Sequence, residues 1–274
     1  IRRFTRNDIL PKFPQVRRVA ITVGAHHNFT EAEVVAIERF CATHDAVVFT
    51  DHTSGYRGKY EVNYSLVCGQ KNFKSSLIEV DLLIHIGEVS GDCYKIHPKG
   101  VVWRVSEDGA LRDTFRKLTN VFMMPEEIFF NYYSNDGENK ISYLEACQAE
   151  YQNILNQMPE IPFGNIWMAK QMASKLPPSC ELHMGIYNSL RSWNFFKLPE
   201  GIHSKCNVGG FGIDGGVSAM IGAALANPEK LFVGVFGELA FFYDMNVAAN
   251  RHIGKNVRLM VVNNGRGTEF RNYD

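Results

Sequence analysis

The sequence carries no excess of charge of either sign: 29 Lys and Arg stand against 29 Asp and Glu. That balance excludes the broad attraction to nucleic acid or to an anionic membrane that a strongly basic chain would have. No apolar run reaches membrane-spanning length, and Ile1-Arg2-Arg3-Phe4-Thr5 lacks the apolar centre of a signal peptide. The six cysteines, at 41, 68, 93, 147, 180 and 206, follow no disulfide-like cadence, so a reducing cytoplasm is the expected setting. Cys180 and His183 have i, i+3 spacing, but no second Cys/His pair completes a zinc set and the pair reads as structural. There is no internal repeat and no low-complexity tract.

What is present is apolar residue in quantity, 45% of 274, enough for two hydrophobic cores. Strand-like runs alternate with segments of helical apolar spacing, which predicts an α/β protein of two Rossmann-like domains. Each should have a parallel sheet with helices on both faces, the second being incomplete. Residues 1–15, with mixed charge and two prolines, read as a linker. Strands are expected at 16–23, 46–50, 80–87, 100–105 and 120–123. Helices are expected at 30–43, capped by Thr30 with Glu33 three residues on, and at 125–132 and 141–158. Residues 55–74 are irregular. Pro159-Glu-Ile-Pro-Phe-Gly164 marks a boundary between domains at 1–160 and 161–274.

The second domain should open with helices at 166–175 and 181–193. A short strand at 205–208 and a helix at 213–226, stopped by Asn227-Pro228, should follow. The rest of the chain is organised around the glycine turn Gly209-Gly210-Phe211-Gly212-Ile213-Asp214-Gly215-Gly216, the turn Gly237-Glu238-Leu239 and the turn Asn263-Asn264-Gly265. The last two each end a buried strand, 231–236 and 257–262, with helical spacing over 241–253 between them. Ligands of open α/β sheets sit beyond the carboxyl ends of strands, so Glu238, Asn263 and Asn264 should converge on one rim. Glycine-turn amides suit phosphate oxygens, and a carboxylate with amide and peptide oxygens suits a divalent ion. Together they describe a diphosphate held through Mg²⁺.

The Gly237-Glu238-Leu239 turn with Asn264, 26 residues beyond Glu238, resembles the Gly-Asp-X…Asn-Asn motif of thiamine diphosphate (ThDP) enzymes. Asn188-Ser189-Leu190, Gly212-Ile213-Asp214-Gly215, Phe242-Tyr243-Asp244-Met245-Asn246 and Val261-Val262-Asn263-Asn264 resemble one branch of them. That branch is the succinyl-enolpyruvyl-hydroxycyclohexene-carboxylate (SEPHCHC) synthases of menaquinone biosynthesis. The resemblance covers roughly the last hundred residues, and the upstream part resembles the family's middle domain in architecture only. It implies that Glu238, Asn264 and the Arg266 carbonyl bind Mg²⁺, Glu238 departing from the usual aspartate. It also implies that Ser189, Gly210, Phe211, Gly212, Ile213, Asp214, Gly237, Leu239 and Asn264 line the cofactor site, Ile213 as the wedge that bends ThDP.

By the same resemblance, an N-terminal pyrimidine-binding domain from a partner subunit supplies an activating glutamate, in a homodimer or homotetramer acting on a 2-oxoacid. This chain starts at what looks like the middle domain, so it is expected to be a fragment, inactive alone. The arginines that grip substrate carboxylates in SEPHCHC synthases fall on Trp193 and Val208, and Arg191 should face elsewhere on its helix. A different substrate is therefore expected. Two other readings stand beside this one: a dinucleotide-dependent oxidoreductase using Gly210-Phe-Gly212-Ile-Asp-Gly215 as G-x-G-x-x-G, and a non-catalytic relative in which Glu238 signals lost metal binding. The aromatic run Phe241, Phe242, Tyr243 with Met245 and Val247 reads as core packing. His26-His27 and Asp51-His52 through Arg57 follow strands of the first domain, where an effector or vestigial nucleotide pocket could lie.

Overall fold

The computed structural model describes residues 1–92, 96–135 and 139–265. The chain divides into two units, Ile1–Val89 with Tyr94–Met158, and Ser90–Cys93 with Pro159–Asp274.

The first unit holds β1 (Arg2–Thr5), β2 (Val19–Val23), α1 (Glu31–His44), β3 (Val47–Thr50), β4 (Glu61–Asn63), α2 (Ser65–Cys68), β5 (Leu82–Ile86), β6 (Val101–Val105), β7 (Leu118–Met123), α3 (Glu126–Tyr133) and α4 (Ser142–Asn156). Its seven strands form one sheet in the order β1-β7-β6-β5-β2-β3-β4, and every pairing is parallel. Strands β2, β3 and β5 are buried almost end to end, as parallel strands covered by helices must be. Thr30 caps α1 in a full capping box, its hydroxyl taking the Glu33 amide while the Glu33 carboxylate takes the Thr30 amide at 2.7 Å.

Two expectations fail here. Residues 1–15 are not a linker, because Arg2–Thr5 adds an edge strand in register with Asn120–Met123. Phe4 stacks on Phe122 at 5.4 Å, and Phe13 packs against Phe40, His44, Trp103 and Tyr133. These rings outweigh the local polarity that suggested a linker. The irregular 55–74 stretch contains β4 and α2, too short to show a period.

The second unit holds α5 (Asn165–Met172), β8 (Glu181–Met184), α6 (Asn188–Trp193), β9 (His203–Cys206), α7 (Gly216–Ala226), β10 (Phe232–Gly237), α8 (Glu238–Tyr243) and β11 (Val257–Val262). Four parallel strands run in the order β11-β10-β8-β9. The core joins α7 and β10 through Val217, Met220, Ile221, Ala224, Phe232 and Phe236.

The predicted helix over 181–193 is corrected. Residues 181–184 form an inner strand between β10 and β9, with Leu182 and Met184 buried, and a turn separates them from α6. The predicted helix over 241–253 begins three residues earlier and stops at Tyr243, after which Met245–Ala249 continues as a 3₁₀ turn. Asp244 breaks it by turning its carboxylate to α7. The predicted aromatic packing divides: Phe241 and Val247 lie on the core, whereas Phe242, Tyr243 and Met245 are exposed. Helix α7 starts at Gly216 rather than 213, after Gly215 at φ 76. Strand β9 comes two residues earlier than predicted.

Candidate functional site

Because the second sheet is parallel throughout, all four of its strands end on one edge. The chain goes from β8 outward to β9 and then returns to the other side as β10, so the strand order reverses between β8 and β10. A crevice at such a reversal is the usual ligand position in an open α/β sheet.

On the β10 side, Gly237 is the register partner of Val262. Glu238 and Asn263 are therefore the next residues out of two adjacent strands at that edge. Glu238 is only 7% exposed, an unusual setting for a carboxylate. The Asn263 side chain is used by its own turn, its Oδ1 accepting the Gly265 amide at 3.3 Å, and Asn264 lies exposed. Arg266 lies outside the described residues. Among the described residues no three His, Cys, Asp or Glu side chains form a metal-holding group. The oxygen donors this edge offers are one carboxylate together with amide and peptide oxygens, a hard set of the kind Mg²⁺ takes.

On the β8 side, Gly185 donates its amide to the Val235 carbonyl at 2.8 Å. Buried Ser189 lies close by: a Cβ built on Gly185 would be 3.7 Å from its Oγ and 3.3 Å from the Phe236 ring. Tyr187 stands in the turn at φ 68, ψ −119, and its hydroxyl donates to the Phe211 carbonyl at 2.7 Å. The guanidinium of Arg191 lies 5.0 Å from the centre of the Tyr187 ring. Trp193 is buried, and Asn194 behind it donates to the Asp92 carboxylate at 2.7 Å.

The glycine turn after β9 is open. A Cβ on Gly209, Gly210 or Gly237 would meet nothing within 4 Å, the room a phosphate group needs against bare backbone. Phe211 is exposed at φ 54, Asp214 is exposed, and the Asp214 Oδ1 would lie 2.3 Å from a Cβ on Gly212. Ile213 is half-buried and packs on the α7/β10 core. Leu239 is exposed. The first amides of α7 are already engaged: the Asp244 Oδ2 accepts from Val217 at 3.0 Å and Ser218 at 3.1 Å. The start of α7 is thus closed by a carboxylate of its own chain. Asp244 also lines an open cleft of 470 Å³ with Ser218, Tyr243, Asn246 and Asn250.

In the first unit the strand order reverses between β2 and β5, an arrangement shared with dinucleotide-binding sheets. There backbone hydrogen bonds join the two post-strand turns. Ala25 and Glu88 exchange two backbone hydrogen bonds, 3.1 and 2.9 Å, and a Cβ on Gly24 would lie 1.9 Å from the Glu88 carbonyl oxygen. His26 approaches Glu126 at 3.5 Å and its amide donates to Thr53, while Ser54 donates to the Val23 carbonyl at 2.6 Å. These contacts tie the turns that follow β2, β3 and β5 to one another.

Cys180 is buried, which raises its thiol pKa, and the ring of half-buried His183 lies 5.8 Å from that of Phe232. The positive φ of Tyr187 leaves no mark in the sequence, which places a tyrosine where glycine is the usual residue.

No protein-family model matches the chain. Curated relatives do. A 2-succinyl-5-enolpyruvyl-6-hydroxy-3-cyclohexene-1-carboxylate synthase of Bacteroides fragilis is 33% identical over 177 residues, 64% of this chain and 31% of that protein. The synthase of the same name from Phocaeicola vulgatus is 31% identical over 174 residues, again 64% and 31%. A third, from Flavobacterium johnsoniae, is 24% identical over 278 residues, 97% of this chain and 50% of that protein. The chain thus spans about a third to a half of the length of the curated relatives it matches. Its likeness runs along nearly the whole chain, and the chain is similar to the SEPHCHC synthases, the branch its rim motifs resemble.

Proposed function

We propose that this chain is part of a ThDP- and Mg²⁺-dependent enzyme that decarboxylates a 2-oxoacid and joins the remaining carbons to an acceptor. Residues 1–160 would be its middle domain and 161–274 its diphosphate-binding domain. The observation that carries the reading is the Gly237–Val262 register, which sends Glu238 and the Asn263-Asn264 turn out of neighbouring strands at one edge. Likeness to proteins named as carboxylate synthases supports the reading.

In this reading Glu238 and Asn264, with the carbonyl of Arg266, hold the ion. The amides around Gly209, Gly210 and Gly212 and the Gly237-Leu239 turn receive the diphosphate, and Ile213, Phe211, Asp214 and Ser189 face the cofactor. ThDP, when bound, supplies the electron sink that stabilises the carbanion left by loss of CO₂. The low exposure of Glu238 strengthens its attraction to a cation by keeping water away. A pyrimidine-binding domain, from the same polypeptide or a partner subunit, would complete the site in a homodimer or homotetramer. Trp193 and Val208 stand where carboxylate-gripping arginines are expected, which supports a substrate other than isochorismate.

The full-length polypeptide, supplied with ThDP and Mg²⁺, is expected to release CO₂ from 2-oxoglutarate or pyruvate. No turnover of either would remove the catalytic part of the proposal. A non-catalytic relative would show no rise in melting temperature with ThDP and Mg²⁺, whereas a working site should gain several degrees by linkage.

A further inference from the structure

We infer that Gly91 and Asp92 brace the cofactor edge of the second sheet, Gly91 by lying against α6 and the glycine turn at once, and Asp92 as the positioning residue that holds the end of α6. The inference rests on the function proposed above and adds to it two residues that act on the site through others.

The first ground is the place of the segment. Ser90, Gly91 and Asp92 fall between β5 and β6 in sequence, yet they belong to the second unit. Gly91 is buried, and a Cβ built on it would lie 2.8 Å from Leu190 Cδ2, 3.1 Å from Ile186 Cγ1 and 3.3 Å from Val208 Cγ1. These three side chains come from α6, from the turn that leads into it and from the residue just before Gly209. A close-packed interior leaves no room for a methyl group there, so glycine is what lets the backbone approach all three. Leu190 and Val208 each adjoin a residue of the proposed cofactor edge, Ser189 and Gly209.

The second ground is the hold on α6. Asn194, at the end of that helix and 0% exposed, donates its side-chain amide to Asp92 Oδ2 at 2.7 Å, across 102 residues of sequence. The Asp92 amide in turn donates to Ser90 Oγ at 3.0 Å, which folds the segment tightly and fixes the carboxylate in place. A bond to a charged acceptor is stronger and more directional than one between neutral groups. Helix α6 has only six residues, too few to stand by its own hydrogen bonds, so its position is set by what it packs on. Gly91 meets it at Leu190 and Asp92 at Asn194, and buried Ser189 is carried between the sheet edge and these two contacts.

The test uses the full-length polypeptide and reads two quantities for each variant: ThDP affinity with Mg²⁺ by calorimetry, and melting temperature without cofactor. Gly91→Ala is expected to weaken ThDP about tenfold or more, the scale of loss when the contacts that support a site shift. Adding Leu190→Val, which removes the methyl 2.8 Å away, should recover most of the affinity. Asp92→Ala should weaken ThDP to a similar extent, and Asp92→Asn, whose amide oxygen still accepts from Asn194, should restore it. Phe13→Ala, in the first unit, is the control: a lower melting temperature with ThDP affinity unchanged. Unchanged affinity in Gly91→Ala and Asp92→Ala overturns the inference, whatever their melting temperatures. An equal loss of affinity in Phe13→Ala also overturns it, because affinity would then follow stability alone. Asp92→Asn binding as weakly as Asp92→Ala overturns the role given to the Asn194 bond, and this pair carries the test if Gly91→Ala does not fold. Failure of the wild type to bind ThDP overturns the underlying function instead.

Discussion

Asp244 closes the start of α7 from outside the helix, its Oδ2 3.0 Å from the Val217 amide nitrogen. With Gly215 as the cap residue, α7 has no side-chain cap of its own, and a carboxylate from the turn after α8 does that work. Asp244→Ala is expected to cost about 1 kcal/mol in urea unfolding, and Asp244→Asn, which keeps an oxygen acceptor but loses the charge, about half that. Equal stability of Asp244→Ala and wild type would show that the contact contributes nothing.

Phe13 predicts how firmly the N-terminal segment is held. Its ring meets Trp103 at 5.8 Å and stacks on His44 at 4.0 Å, so Phe13→Ala should destabilise the first unit by about 2 kcal/mol, toward the low end for aromatic deletions because the residue is half-buried. Chemical denaturation of the two proteins side by side checks it. A free linker would show no change.

The first unit should also lose stability in mild acid. His85 is buried beside Arg104, its register partner on β6, and burial, then Arg104 and Arg112, lower its pKa from 6.5 to about 4. The unfolded chain therefore takes up a proton as pH falls below about 6.5 while the folded protein does not. Stability is full above that pH and declines until about pH 4, by roughly 2–3 kcal/mol from this residue. His85→Phe should flatten that part of the profile, measured as unfolding free energy at pH 7.5 and 4.5. A decline of the same size in the variant would assign it to other groups.

Gly24 tests the bridge between the turns after β2 and β5. A methyl group at 1.9 Å from the Glu88 carbonyl oxygen must force apart the Ala25–Glu88 bridge. Gly24→Ala should cost about 2–4 kcal/mol through overpacking and lost hydrogen bonds. A small change in melting temperature would mean the two turns part at little cost.

These particulars show which features the sequence made legible. The α1 start is written locally in Thr30 and Glu33, and β11 in an uninterrupted apolar run, so both were readable at their positions. Residues 181–193 misled because apolar residues at 182, 186, 190 and 193 satisfy a helical period. What makes 181–184 a strand is pairing to β10 and β9, contacts made about 50 and 20 residues away. Strand β1 was hidden by two arginines that an edge strand can leave in solvent. The glycine and asparagine turns could be found as motifs, but Asp244 and Tyr187 act through contacts to distant backbone, for which no local pattern exists.

The most direct measurement of the central claim is a calorimetric titration of ThDP into the full-length polypeptide with and without Mg²⁺, repeated for Glu238→Gln and Glu238→Asp. The account predicts Mg²⁺-dependent binding in the wild type, its loss by more than tenfold in Glu238→Gln, and its retention in Glu238→Asp, which keeps the charge. Wild-type binding that ignores Mg²⁺, or Glu238→Gln binding as tightly as wild type, would contradict it.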